Sequence, residues 1–160
     1  MGRVFKYGDD VNTDVLFPGK HTYTVSDPQE MAQHALEDLD PAFAKEVKPG
    51  DIIVAGSNFG CGSSREQAVL ALKYAGVTAV IAESFARIYY RNCINSALPA
   101  LALPEAVSAL NDGDEAEVDL AAGVVKTSKG DFSFAPFPPE VQAILDAGGL
   151  IEYLHKRFAR

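Results

Sequence analysis

An α/β fold built on a mixed sheet follows from two features of this 160-residue chain. The centre runs strand, loop, helix, strand, an order that implies a parallel pair joined by a crossover. After residue 104 apolar and polar residues alternate between closely spaced turns, which is the pattern of antiparallel strands. A hydrophobic share of 48% against 22% charged argues for a packed core, not disorder. With no repeat, low-complexity tract or linker, residues 1–160 are expected to form one domain.

The elements can be justified in order. VFKY, residues 4–7, has strand character, and GDDVNTDVLFPGK reads as a polar loop. SDPQEMAQHALEDL is expected to be a helix, with Asp27 as N-cap, Pro28 at the first helical position and Glu30 at capping-box spacing. Met31, Ala35 and Leu39 then fall on one buried face. PAFAKEVKPG is a connector ending in the Pro49-Gly50 turn. DIIVAG is a buried strand, SSREQAVLALKYAG a helix closed by Gly76, and VTAVIAES a second buried strand. FARIYYRNCINSA is a further helix and LPALAL a third apolar run. EAEVDL, GVVKTSKG and DFSFAPF are the alternating strands. PPEVQAILDAGGLIEYLHKRF is two helices broken at Gly148-Gly149.

Charge and cysteine content exclude several function classes. A net charge of −8 argues against nucleic acid or an anionic membrane as partner. The first residues lack a signal-peptide core, and no apolar stretch approaches the roughly 20 residues that span a bilayer. Cys61 and Cys93 make neither a disulfide framework nor a CxxC pair, so a cytoplasmic protein with free thiols is expected. His21, His34 and His155 are scattered, and no metal site is expected from this chain alone.

The stretch GSNFGCGSSREQ, residues 56–67, carries the functional question. It has three interpretations. Ser63 with Glu66, or Ser64 with Gln67, has capping-box spacing, the glycines then supplying only a turn. A dinucleotide site is the second, with Glu83 placed for a ribose. Yet Arg65 stands where the third Gly or Ala of that fingerprint belongs, and no Lys completes a P-loop. The third is chemistry: a serine hydroxyl near a helix N-terminus and an arginine acts as base or nucleophile, while Arg65 offers a fork for a carboxylate.

GSNFGCGSSREQA followed by AVIAESFARIYYRN resembles the small subunits of 3-isopropylmalate dehydratase and the swivelling C-terminal domain of aconitase and homoaconitase. GDDVNTD near the start and ILDAGGLIEYL near the end resemble the same family, so the likeness spans nearly the whole chain. The resemblance implies a three-layer β/β/α swivelling domain with a mixed sheet. It implies a hydro-lyase that removes water from a small hydroxy di- or tricarboxylic acid and adds it back at the neighbouring carbon, as in leucine biosynthesis. By the same resemblance Ser63 is the catalytic base, and Ser64 and Arg65 hold substrate carboxylates. A 4Fe-4S cluster belongs to a separate large subunit, and this chain binds none. The chain alone is then inactive, although isolated copies can self-associate as a homo-oligomer. A dinucleotide-binding module and a non-catalytic interaction subunit stand as alternatives.

The departures from the family pattern bear on substrate. In isopropylmalate and homoaconitate enzymes a short substrate-sensing stretch follows the GDDVNTD-like segment, often Tyr-Leu-Arg-Thr in the former. Here it is Lys20-His21-Thr22-Tyr23-Thr24, without arginine, and Lys20, His21 and Tyr23 are the candidate substrate contacts. The change points toward another substituted malate, such as dimethylmalate or citramalate, or toward homoaconitate. Arg87 and Arg91 share a helix face that is either salt-bridged or anchors the site. Asp9, Asp10 and Asp14 are expected to pair with arginines or shape their loop. Cys61 is expected to be a packing residue and Cys93 buried and inert.

Overall fold

The computed structural model describes residues 1–158. Among them seven strands form one sheet in the order β4-β3-β2-β1-β5-β6-β7. Strands β1 (Gly2–Lys6), β2 (Ile52–Ala55), β3 (Ala79–Ala82) and β4 (Ala100–Ala102) are parallel neighbours. Strands β5 (Glu115–Asp119), β6 (Val124–Thr127) and β7 (Gly130–Ser133) continue from β1 as antiparallel neighbours. The mixed sheet expected from the two kinds of sequence pattern is therefore present.

Alternation along the central strands divides the core in two, because successive side chains point to opposite faces. Ile53, Ala55, Val80 and Ala82 face one cluster, which the helices cover. Those helices include α2 (Pro28–Gln33), α3 (Phe43–Glu46), α4 (Gln67–Ala75) and α5 (Arg87–Asn95). Ile52, Val54 and Ile81 face the other cluster, where Ala116 and Val125 of the antiparallel strands meet α6 (Pro104–Ala109). The antiparallel half thus curls over one face of the parallel half while helices cover the other. That is the expected β/β/α layering.

Several elements differ from expectation for local reasons. The loop after β1 contains a turn of helix, α1 (Thr13–Leu16), because the Asn12 side chain accepts the Val15 N–H at 2.9 Å and so caps it. Asp27 caps α2 and Pro28 opens it as expected, but the helix stops at Gln33. Leu36 then turns its backbone to φ +56° and drops its side chain into the core. The four-residue period breaks there, and Leu39 is left 47% exposed. The connector before β2 folds into α3 because Phe43 is fully buried edge-on to Phe5, with ring centres 4.9 Å apart. Gly76 closes α4 at φ +110°, and Gly148 separates α7 (Pro139–Ala147) from α8 (Leu150–Phe158) at φ +95°.

Candidate functional site

The loops that follow β1, β2 and β3 meet at the carboxyl ends of the parallel strands, where open α/β sheets bind ligands. Residues 56–66 lie among them, tied by a series of cross-loop bonds. Ser57 N–H donates to Asp9 Oδ1 at 2.8 Å, and Asn58 Nδ2 donates to Asp10 Oδ1 at 3.1 Å. Asn58 N–H reaches Ser84 Oγ at 2.8 Å, and Gly60 N–H reaches the Val11 carbonyl at 2.7 Å. The Thr13 hydroxyl donates to the Ser63 carbonyl at 2.7 Å. Asp9 and Asp10 therefore shape the loop, one of the two roles expected of them. Gly60 sits at φ +84° against Tyr89, where a Cβ would collide with the ring.

These bonds settle what Ser63 and Ser64 do to α4. The helix begins at Gln67, its N-cap is Glu66, and no side chain caps it. Neither serine serves the capping box that its spacing allowed, because the loop's ties to α1 hold the chain away from helical geometry until residue 66. Both side chains are exposed. The eleven residues between β2 and α4 likewise do not form the tight strand-to-helix turn that a dinucleotide fingerprint requires.

Arg65 is arranged otherwise. Its side chain is only 12% exposed, and its guanidinium turns inward. Nη2 donates to the carbonyls of Thr13 and Phe17 at 2.6 Å each and lies 3.1 Å from Asp14 Oδ1. Nη1 donates to the Thr22 hydroxyl at 2.9 Å, while Nε is buried without a partner. Arg65 thus joins its own loop, α1 and the 19–24 segment. Sequence reasoning missed Thr13 and Thr22 as the groups that orient it. The Asn-Thr-Asp run is itself a cap signature and was the available signal for Thr13; Thr22 carried none.

A cavity of about 200 Å³ opens beside the loop. Ser64, Arg65, Thr13, Arg87 and Asn92 line it. Ser63 stands exposed one residue before them. Arg87 and Arg91 also flank a wider groove of about 510 Å³ with Tyr90. Neither arginine forms an ion pair among the described residues. Of the three other candidates, Tyr23 is 99% exposed and Lys20 is exposed. His21 points the other way: its Nε2 lies 3.0 Å from Glu37 Oε2, and its ring stacks on His34.

The thiols differ in character. Cys61 is half-buried and pairs with Asn12 in a short bridge. Cys93 is fully buried, and burial pushes its thiol up to about 12.

Comparison with known proteins agrees with this architecture. Residues 12–106 match the Aconitase C-terminal domain family. The 3-isopropylmalate dehydratase small subunit of Thermodesulfovibrio yellowstonii is 48% identical over 99% of this chain and 95% of its own. The 2,3-dimethylmalate dehydratase small subunit of Eubacterium barkeri is 52% identical over 96% of this chain and 95% of its own. The crystal structure of 3-isopropylmalate dehydratase from Methanocaldococcus jannaschii superposes with a TM-score of 0.90 at 47% identity, covering 98% of this chain and 93% of that one. By fold, by sequence and over nearly its full length, this chain belongs to the aconitase C-terminal domain family, among its dehydratase small subunits.

Proposed function

We propose that this chain, as one domain spanning residues 1–160, is the small subunit of a two-chain hydro-lyase. Its substrate is a substituted malate of the 3-isopropylmalate kind, from which water is removed and returned at the neighbouring carbon. The observation that carries the proposal is the loop 56–66. Cross-loop bonds fix its backbone at the strand ends, yet the exposed Ser63 and Ser64 hydroxyls make no hydrogen bond among the described residues. Names borne by relatives near 50% identity supply the reaction class.

In this proposal Ser63 Oγ, as alkoxide, takes the proton from the carbon next to a substrate carboxylate. The positive charge of Arg65 two residues on favours that ionised form. The electron pair of the broken C–H bond becomes the double bond as the hydroxyl departs, and rehydration reverses the steps. Ser64 donates to a carboxylate oxygen. Arg65 holds a carboxylate by exchanging its contact with Asp14, which is 73% exposed and free to swing away. Lys20 and Tyr23 face the variable part of the acid, while His21 fixes their loop from behind.

An iron–sulfur cluster does not fit this chain's own residues. Such clusters need several thiolates, and of the two cysteines Cys93 is buried with its thiol held protonated at neutral pH. We assign the cluster, and with it the activation of the leaving hydroxyl, to the large subunit.

The test is anaerobic reconstitution with a large dehydratase subunit from the same organism. Ultraviolet absorbance then follows dehydration of 3-isopropylmalate, 2,3-dimethylmalate, citramalate, homocitrate and citrate. Turnover that needs both chains is the expected outcome, with 3-isopropylmalate preferred. A preference for 2,3-dimethylmalate would move the substrate to that of the Eubacterium barkeri relative. Ser63→Ala should lower kcat by about 10²–10⁴-fold with assembly intact and KM little changed. An unchanged kcat would make this a non-catalytic subunit, and tight NAD binding by the isolated chain would point to a dinucleotide module.

A further inference from the structure

Away from the serine loop, three side chains converge, of which the proposed function uses only His21, as a support for its loop. His21 comes from the 3₁₀ turn Gly19–His21, while His34 and Glu37 follow the end of α2. His21 Nε2 lies 3.0 Å from Glu37 Oε2, and His34 Nδ1 lies 3.3 Å from the same oxygen. All three donor atoms fall within 4.8 Å of one another. The imidazoles stack with ring centres 3.8 Å apart and a tilt of 27°. His34 Nδ1 is nonetheless buried without a hydrogen-bond partner, since its approach to Glu37 is short but misaligned.

We infer that His21, His34 and Glu37 form a binding site for a divalent transition-metal ion, with Zn²⁺ the best match. Two imidazoles and one carboxylate are a set that Zn²⁺ accepts, and Co²⁺ substitutes for it. Bonds of about 2.0–2.2 Å in a tetrahedral array set donor atoms about 3.3–3.6 Å apart, close to the two separations seen. The third edge closes by rotation about χ2 of either ring, a soft torsion, which opens the stacked pair so that both lone pairs turn toward the ion. A proton shared with Glu37 satisfies one imidazole lone pair; a metal ion satisfies both, including the unpartnered one on His34. The group is reachable from solvent, with side-chain exposures of 19%, 24% and 36% for His21, His34 and Glu37. Lys20 is the nearby cation, and its exposed side chain can turn outward.

The ion would staple the 19–24 segment to the end of α2. That segment also supplies Thr22, whose hydroxyl accepts from Arg65. Occupancy therefore fixes one of the groups that orient Arg65, whatever the chain's reaction proves to be.

The purified full-length chain should bind one equivalent of Zn²⁺ in calorimetric titration and show Co²⁺ d–d absorption. Affinity should fall by about tenfold or more in His34→Ala and in Glu37→Gln and stay unchanged in Cys61→Ser. In case a variant fails to fold, histidine-ring NMR of the wild-type chain decides independently. With three histidines in the sequence, Co²⁺ should broaden the His21 and His34 signals and spare His155. Absence of saturable binding, binding that both variants retain, binding lost in Cys61→Ser, or broadening confined to His155 would each overturn the inference.

Discussion

Arg65 shows how one side chain can be both buried and poised. Three of its contacts are to neutral oxygens that cannot leave, and only Asp14 is a mobile anion. The sequence showed a fork beside two serines, but not that the fork is turned inward, because Thr13, Phe17 and Thr22 reach it from 43 to 52 positions away. A shorter separation of 16 positions also hid the pairing of His21 with Glu37, although His34 and Glu37 are neighbours along the chain. Cys93 was legible, since an apolar helix face buries whatever it carries. Its thiol rises from 9.0 to about 12 through burial. The folded state therefore favours the protonated form. That contribution is intact below the unfolded value and is lost as pH rises from about 9 toward 12. At pH 8 the native protein should lose Cys61 to iodoacetamide and keep Cys93 unmodified, while both react in guanidinium chloride; mass spectrometry reads the difference. Native alkylation of Cys93 would refute the burial argument.

Among the elements, legibility followed the range of the forces involved. Strands β2 and β3 and the body and end of helix α4 are fixed by local apolar periodicity and by Gly76, and they lie where the sequence placed them. The start of α4 depends on non-local ties to the loop after β1, so capping-box spacing put the N-cap two or three residues early. Helix α2 ends early because burial of Leu36 outweighs continuation of the helix. The serine loop is likewise held from outside itself. Gly60 is where it passes closest to α5, at a positive φ and against the Tyr89 ring. Tyr89 cannot retreat, being buried with its hydroxyl bonded to the Ala68 carbonyl at 3.0 Å. Gly60→Ala combines left-handed strain with overpacking and should cost more than about 2 kcal/mol in urea unfolding. Under the proposed role of Ser63, turnover in the reconstituted enzyme should also fall even where the variant remains folded. A variant with wild-type stability would refute the close approach of this loop to α5.

For the molecule as a whole, the three-layer arrangement was legible through family resemblance. Periodicity alone identified parallel and antiparallel halves but not that one curls over the other. The consequence of that curl is a division of labour between two ends of the sheet. The strand ends near residues 9–14, 19–24, 57–66 and 84–91 present exposed polar groups, exposed Ile88 and a cavity of about 200 Å³. Arg87 lines both this cavity and the wider groove of about 510 Å³ beside it. The far edge, β6 and β7, carries no candidate residue. If a partner chain completes the site, it must cover the strand ends, and amide hydrogen exchange measured with and without the large subunit can locate the contact. Protection should appear in the 9–14, 57–66 and 84–91 segments and in the 19–24 loop, with β6 and β7 exchanging as before. Slowed exchange confined to β6, β7 or α8 would place the partner away from Ser63, and a shared active site at the serine loop would then be geometrically excluded.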